Sequence, residues 1–513
     1  TSERTVLVVG GIHTNRAMLP LYSDYLAFGD AWYPGAGGFT IRTIAEPLGE
    51  GTAAVCLEAS DDSGALAAAK RLLELIDRAG LSIAPTVEAH LSDECLKASR
   101  VAPQWGMRYA MTGDTACIPK AVEALRNAAT PGSGWYPHGD YGIERWVREY
   151  GLIQDAPGVS AEDIRFFDQA LLDTLIRSEN DYWRARGGRS IGSRHQTMGT
   201  SCFTAALSLL RRRGAPSPEA QEMLDKWWGQ CVEYWTNACA TFHDDIEGLP
   251  SHHSPEPILD WALQFGFAEY VERQLPLAAL RSYSMTDNLG YYGGAGTYEE
   301  CRPGDVYKSV PRGWIMQVAA FFHPDAGFDW LCENTPDAYL QTWALGRNFV
   351  GMRRFVGAQA TGRQPGELLG IRAVPLGPYR YARLSPDRAT ALATGGKYIP
   401  APLERTFEKL CLRDSFDPNG QYLVFQGWQG SSADNLPPLD ANCLIRFTDL
   451  GHVWLHANSE KSGKLPRTGV MCSDGSNEAP EPAGCDLQAV HNGAKVGLFA
   501  SRLSDFVACD WTR

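Results

Sequence analysis

The sequence predicts a multidomain α+β chain: a small α/β domain over residues 1–84, a helical region over 85–350 and an antiparallel β-region over 351–513. Three observations predict this. Short β-branched runs and one helical segment open the chain. Long segments with a helical apolar period fill its middle. Short runs parted by turn residues fill its end. At 513 residues the chain is too long for one hydrophobic core.

In the first domain, Thr5–Gly10, Phe39–Ile44 and Thr52–Leu57 read as strands. Asp61–Gly80 reads as a helix, with Asp61, Asp62 and Ser63 as capping candidates and Gly80 as its stop. The Gly-Gly pair after the first strand lacks the full GxGxxG pattern, so a nucleotide site is not expected.

In the middle, Ala161–Arg184 places Ile164, Phe167, Leu171, Leu172, Leu175 and Ile176 near a helical period. Thr197–Arg212, Pro218–Thr241, Pro257–Arg273 and Gly313–Phe322 read the same way. Helices of this length joined by Gly/Pro-rich loops suggest stacked helical hairpins. The loops Pro131–Pro137 and Gly290–Gly304 are long and aromatic, as functional loops often are.

From about 352 the pattern changes. Gly370–Pro375, Tyr422–Gln426, Cys443–Phe447, Val453–His456 and Val496–Ala500 read as strands of a sandwich. Few further strands are visible before Arg513, so the sandwich is expected to be incomplete, or completed by a second chain or a homo-oligomer.

Composition narrows the function. A net charge of −13 without a long basic run argues against nucleic acid. A few Arg and His in one cleft would still suffice for an anionic polysaccharide. No run of about 18 apolar residues exists, so membrane insertion is not expected. The 13 cysteines include no CxxC pair, which argues against a zinc ribbon or thioredoxin-type site; buried free thiols explain them nearly as well as disulfides do. The 15 Trp, 20 Tyr and 19 Phe suit sugar stacking, but core packing accounts for most of them.

Four stretches resemble the heparinase II/III-like and alginate lyase-like polysaccharide lyases. They are Ser193–Gly199, His243–His253 with the following Ile258–Phe267, Thr286–Tyr292, and the set Tyr422–Gly427, Leu439–Asn442, Phe447–Leu455 and His491-Asn492. The first domain resembles the α/β accessory domain of carbohydrate-active enzymes through VLVVGGIHTNRAMLPLY, GGFTIRTI and GALAAAKRLLELI. The resemblance implies an incomplete (α/α) toroid followed by a β-sandwich, in a secreted or periplasmic enzyme with no required cofactor. This chain departs from the pattern at three places. Arg194 stands where those families often carry Asn, Pro438 where the sandwich often has His, and His456 where an acidic metal ligand is common. His491 matches a third ligand, so His456 and His491 are the candidates for a structural Zn or Ca ion.

Such lyases remove the C5 proton of a uronate and expel the group at O4. The site must hydrogen-bond or neutralise the carboxylate and supply a base and an acid. The catalytic candidates are His195, Tyr291, His252 and His253; the substrate-binding candidates are Arg194, Gln196, Tyr292, Asp245, Asp287 and Asn288. Arg194, His195 and Gln196 stand at a helix start, where backbone N–H groups also attract anions. Asp244, Asp245 and Glu247 would repel a polyanion, so they are expected to orient His or Arg groups. Two alternatives remain open. One is a toroid glycoside hydrolase pairing Asp245 or Asp287 with Glu247. The other is a non-catalytic glycan-binding or structural protein.

Overall fold

The computed structural model describes residues 4–45, 47, 51–76, 82–102, 104–129, 143–178, 194–214, 217–240, 255–284, 286–289, 312–334, 355, 363–376, 381, 398–399, 401–429, 443–456, 483–493, 497–506 and 509–512. Helices and two sheets make it a mixed α+β chain.

The first sheet follows from alternation. Strand β1 (Arg4–Val9) pairs parallel to β3 (Thr52–Ala59). Strand β2 (Phe39–Ala45) runs antiparallel between β3 and β4 (Val87–His90). A short helix, α1 (Leu19–Ser23), lies between β1 and β2 in the chain. The predicted boundary at 84 therefore cuts off a strand of the same sheet. Phe39, Ile41, Val55 and Leu57 share one face and bury against Ala68 and Leu72 of α2 (Asp62–Leu75). Asp61 caps that helix, its side chain accepting from the Gly64 N–H at 2.8 Å. The helix ends at Leu75, short of Gly80.

The other face holds Ile44, Ala54 and Cys56, which join the main helical core. Arg42 and Glu58 occur on it too, joined by Arg42 Nε donating to Glu58 Oε1 at 3.0 Å with both side chains buried. The Gly10-Gly11 turn spends its donors internally. Gly10 N–H goes to Leu57 O, Ile12 N–H to Gly29 O and Gly11 N–H to Thr14 Oγ1. A Cβ on Gly11 would sit 2.9 Å from Gly29 O, so close packing accounts for the glycine.

The helical region follows: α3 (Asp93–Arg100), α4 (Trp105–Thr112), α5 (Ile118–Ala129), α6 (Ile143–Ile153), α7 (Ala161–Ser178), α8 (Arg194–Arg213), α9 (Pro218–Ala240), α10 (Pro255–Phe265), α11 (Leu275–Ser284), α12 (Arg312–Phe322) and α13 (Phe328–Asn334). The predicted helix Pro257–Arg273 is broken. Gly266 takes φ +73° just after α10, a left-handed cap, and the chain resumes in a π-turn at Tyr270–Gln274. Trp227, Trp235 and Trp261 are fully buried. Trp235 and Trp261 stack at 5.8 Å, and their indole N–H groups donate to Thr204 Oγ1 and Ser201 Oγ.

Neighbouring helices alternate in direction. Arg211 meets Asp225 at one end of the α8–α9 pair, and Thr197 meets Tyr234 toward the other. Cys239, near the end of α9, touches Ile258 O near the start of α10. Just ahead of α11, Gln274 donates to Ala240 O at the end of α9, and His323 beyond α12 meets Val271 O. The start of α8, the end of α9 and the start of α10 gather at one end of the array.

The first unit is tied to these helices through Asp24. Its carboxylate accepts from Arg148 of α6 and, at 2.7 Å, from Arg212 of α8. Side-chain exposure is only 4% for Arg148 and 11% for Asp24.

The second sheet is antiparallel. It comprises β5 (Gly370–Pro375), β6 (Tyr398–Ile399), β7 (Thr406–Arg413), β8 (Tyr422–Gln426), β9 (Trp428–Gln429), β10 (Cys443–Asp449), β11 (His452–His456), β12 (Ala483–Asn492), β13 (Gly497–Phe506) and β14 (Cys509–Thr512). Its main order is β11-β10-β8-β7-β12-β13-β14. The Asn492 side chain accepts from Ile371 N–H at 2.7 Å and donates to Ile371 O at 3.2 Å, pinning β12 beside β5. The eight cysteines whose side chains are described are free and buried. Burial pushes the Cys56 and Cys231 thiols up to about 12, so they are unreactive near neutral pH. No helix among the described residues is long and apolar enough to cross a membrane.

Helix α4 has no side-chain cap of its own, and Glu149 of α6 supplies one by accepting from Gly106 N–H at 2.8 Å. A Cβ on Gly106 would lie 2.7 Å from Glu149 Cγ, so glycine permits the approach. Burial pushes the Glu149 carboxyl up to about 7 despite the N–H bonds. The folded chain thus keeps this proton to near pH 7, while the unfolded chain releases it near the ordinary carboxylate value. Stability falls as pH rises through that window and levels off above it. Glu149→Gln keeps the acceptor and removes the ionisation. It is expected to flatten that loss and raise stability above about pH 7 by on the order of 1–3 kcal/mol. Thermal melting of both proteins from acid to mildly alkaline pH checks this; parallel curves would rule it out.

Candidate functional site

The end of α11 and the residues after it meet the second sheet along a buried ionic seam. Arg446 of β10 donates through Nε to Asp287 Oδ2 at 2.7 Å, with Nη2 2.6 Å from the same oxygen and both side chains sealed from solvent. Leu289 N–H adds a bond to Asp287 Oδ1 at 2.9 Å. Arg281 of α11 donates to Glu408 Oε1 of β7 at 2.6 Å, and Lys409 Nζ reaches the same oxygen at 2.9 Å. Arg413 of β7 donates to Thr286 O and Asn288 Oδ1. Its guanidinium lies over the rings of Tyr283 and Tyr422 at 4.4 and 4.8 Å. Tyr422 OH closes the seam on Ser284 O at 2.7 Å.

Asp287, assigned to substrate by the sequence, is therefore committed to Arg446 and to a backbone N–H. Its buried carboxylate lacks the exposure that a sugar ligand or a glycosidase acid needs. Asn288 is half-buried at the edge of the seam. A guanidinium only donates, so the amide oxygen must face Arg413 and the NH₂ group must point away. That nitrogen is itself buried, with no partner among the described residues.

Arg194, His195 and Gln196 form the first turn of α8, three residues earlier than the sequence places the helix. Their side chains lie outside the described residues. Thr197 is buried just behind them, bonded to Tyr234 OH at 2.8 Å. Asp244, Asp245, Glu247, His252, His253, Tyr291 and Tyr292 all lie outside the described residues; so does Pro438. What is described is their flanks: Ala240 and Pro255 where α9 and α10 approach each other, and Leu289 beside the seam. The tyrosines that do face the seam do not titrate early. Burial pushes the Tyr283 and Tyr422 phenols up, despite Arg413 beside them.

The two candidate metal ligands sit apart. His456 ends β11 and His491 lies on β12, with β10, β8 and β7 between them in the sheet. Four strand spacings amount to roughly 19 Å along the sheet. His491 is exposed, and among the described residues no cluster of three His, Cys, Asp or Glu could hold an ion. The donor set does not fit a shared Zn or Ca ion.

A second polar cluster escaped the sequence reading. Arg42, Thr43, Thr86, Tyr109, Gln154, Asp155 and Arg212 line a cleft of about 50 Å³ between the first sheet and the ends of α6 and α8. That space holds a few waters and no sugar ring. The available signal was an arginine inside the apolar run of β2, where an unpaired charge has no place.

Breaking the seam pair is expected to be costly. Asp287→Ala strands Arg446 in a dry site and should lower stability by about 3–5 kcal/mol. Replacing both partners by apolar residues, Asp287→Leu with Arg446→Met, should recover much of that. Chemical denaturation of the single and double variants checks it; a double variant as unstable as the worse single one counts against the pairing. Comparison with models of protein families and with curated proteins finds no match for this chain.

Proposed function

We propose that this chain is a polysaccharide lyase that cleaves a uronic-acid-containing polysaccharide by β-elimination. In this reading the helices form an incomplete (α/α) toroid, the second sheet belongs to a β-sandwich, and the protein acts as a secreted or periplasmic enzyme. One observation carries the reading. Helix alternation brings the first turn of α8 to the same end as the flanks of residues 241–254, and Leu289, which leads into residues 290–311, is held beside the sheet. A groove lined from those segments would contain the residue types that elimination requires.

The roles follow from the chemistry. The α8 first turn offers backbone N–H groups and Arg194 to the uronate carboxylate. Drawing charge from the carboxylate lowers the cost of the carbanion-like state at C5. His195, or His252 or His253, takes the C5 proton, and Tyr291 or Tyr292 returns a proton to the departing O4. The commitment of Asp287 to Arg446 supports this over a hydrolase that pairs Asp287 with Glu247.

The test is a screen of the purified chain on alginate, heparan sulfate, chondroitin, hyaluronan, ulvan and glucuronan. Elimination yields an unsaturated uronate that absorbs in the ultraviolet. New reducing ends without that absorbance would point to hydrolysis instead. His195→Ala is expected to cut turnover by about 10²–10⁴-fold with an unchanged melting temperature. A variant with near-normal rates removes His195 from the mechanism.

A further inference from the structure

We infer that Trp454 and the polar groups around it form a surface subsite for a neutral pyranose chain, separate from the groove at the helix ends. Trp454 lies on β11, the terminal strand in the sheet order, and is 62% exposed. The fully buried Trp227, Trp235 and Trp261 show how this chain treats a core indole; Trp454 is placed differently.

The ring is held in position. Its Nε1–H donates to Asp449 O at 3.0 Å. The His452 ring meets it edge-on, with centroids 6.2 Å apart and planes at 77°. The turn joining β10 to β11 passes through Leu450 at φ +51° and Gly451 at φ +73°, the left-handed pair of a tight hairpin. Leu450 N–H is tied to Asn419 O at 3.1 Å. A platform fixed before binding loses little freedom when a ligand arrives.

The rim is polar up to the edge of the ring. His452, Gln421 and Asn419 are exposed, and Gln421 Nε2 donates to Asp449 Oδ2 at 3.3 Å. A pyranose has an apolar C–H face and an equatorial ring of hydroxyls. A flat indole covers the first, and planar amide, imidazole and carboxylate groups bond the second. A stable protein interface instead needs about 800 Å² per partner around several clustered anchors. Charge selects among glycans. Asp414, Asp417 and Asp449 all belong to this rim, with Asp414 and Asp417 accepting from the N–H groups of Gln421 and Asn419 at 2.8 and 2.7 Å. Their field disfavours a polyuronate and leaves a neutral chain as the ligand. The subsite does not depend on elimination chemistry.

Affinity electrophoresis of the intact chain tests this, in native gels cast with soluble xylan, hydroxyethyl cellulose, galactomannan or alginate. At least one neutral polymer is expected to retard the protein more than alginate does. Trp454→Ala should lower the association constant by about tenfold. Trp454→Tyr should keep most of it, and Gln421→Ala should weaken it with the ring intact. Melting curves establish that each variant is folded, and the reading needs no turnover. Retardation unchanged in both Trp454→Ala and Gln421→Ala overturns the proposal. So does a wild-type chain that no neutral polymer retards, or one that alginate retards more strongly through Trp454.

Discussion

The arrangement depends on placing charge where water is absent. Arg446 and Asp287 are sealed from solvent at the boundary between helices and sheet, as are Arg281 and Glu408. Removing such groups from water is expensive, and their mutual attraction repays it only when partners meet in good geometry. The pairs therefore act as a registration device more than as a source of net stability. A helix end displaced by one residue would leave a bare charge in a dry site. The constraint reaches the site directly, because Asp287 and Asn288 are consecutive and Arg413 holds the second of them.

This constraint also explains which parts of the fold were legible. The long helices could be read because their apolar period needs no distant partner: α7, α8, α9 and α12 begin within three residues of their expected starts. Strand β7 could not. Glu408, Lys409 and Arg413 interrupt its apolar run, although all three are buried. Their burial is rational only once Arg281 and the 286–288 turn are in place. Strand β4 was missed because four residues carry too little pattern. The break after α10 came from Gly266 alone, a single residue inside an otherwise helical stretch.

The candidate site was legible in kind but not in partnership. Asp287 looked like a ligand because a cleft-side carboxylate in a loop usually is one, and its partner lies 159 residues away. His456 and His491 looked like a pair because strand order cannot be read from strand sequence. The stretch Phe447–Leu455 read as sandwich core, yet Trp454 within it faces solvent. A β-branched and aromatic run reports that a strand forms, not which of its faces is covered. Asn288 looked like a ligand too, and its amide oxygen is taken by Arg413 from 125 residues away.

The Asp24 clamp bears on how separable the first unit is. An accessory module joined only by a linker could be deleted or exchanged among enzymes without harm. Here one acidic side chain neutralises two arginines on two different helices, and one of those arginines is almost wholly buried. Excising the leading sheet would strand both guanidinium groups inside the remaining body. Whatever ancestry the segment has, it is an integral wall of the helical body, and truncation there removes a structural part rather than an appendage.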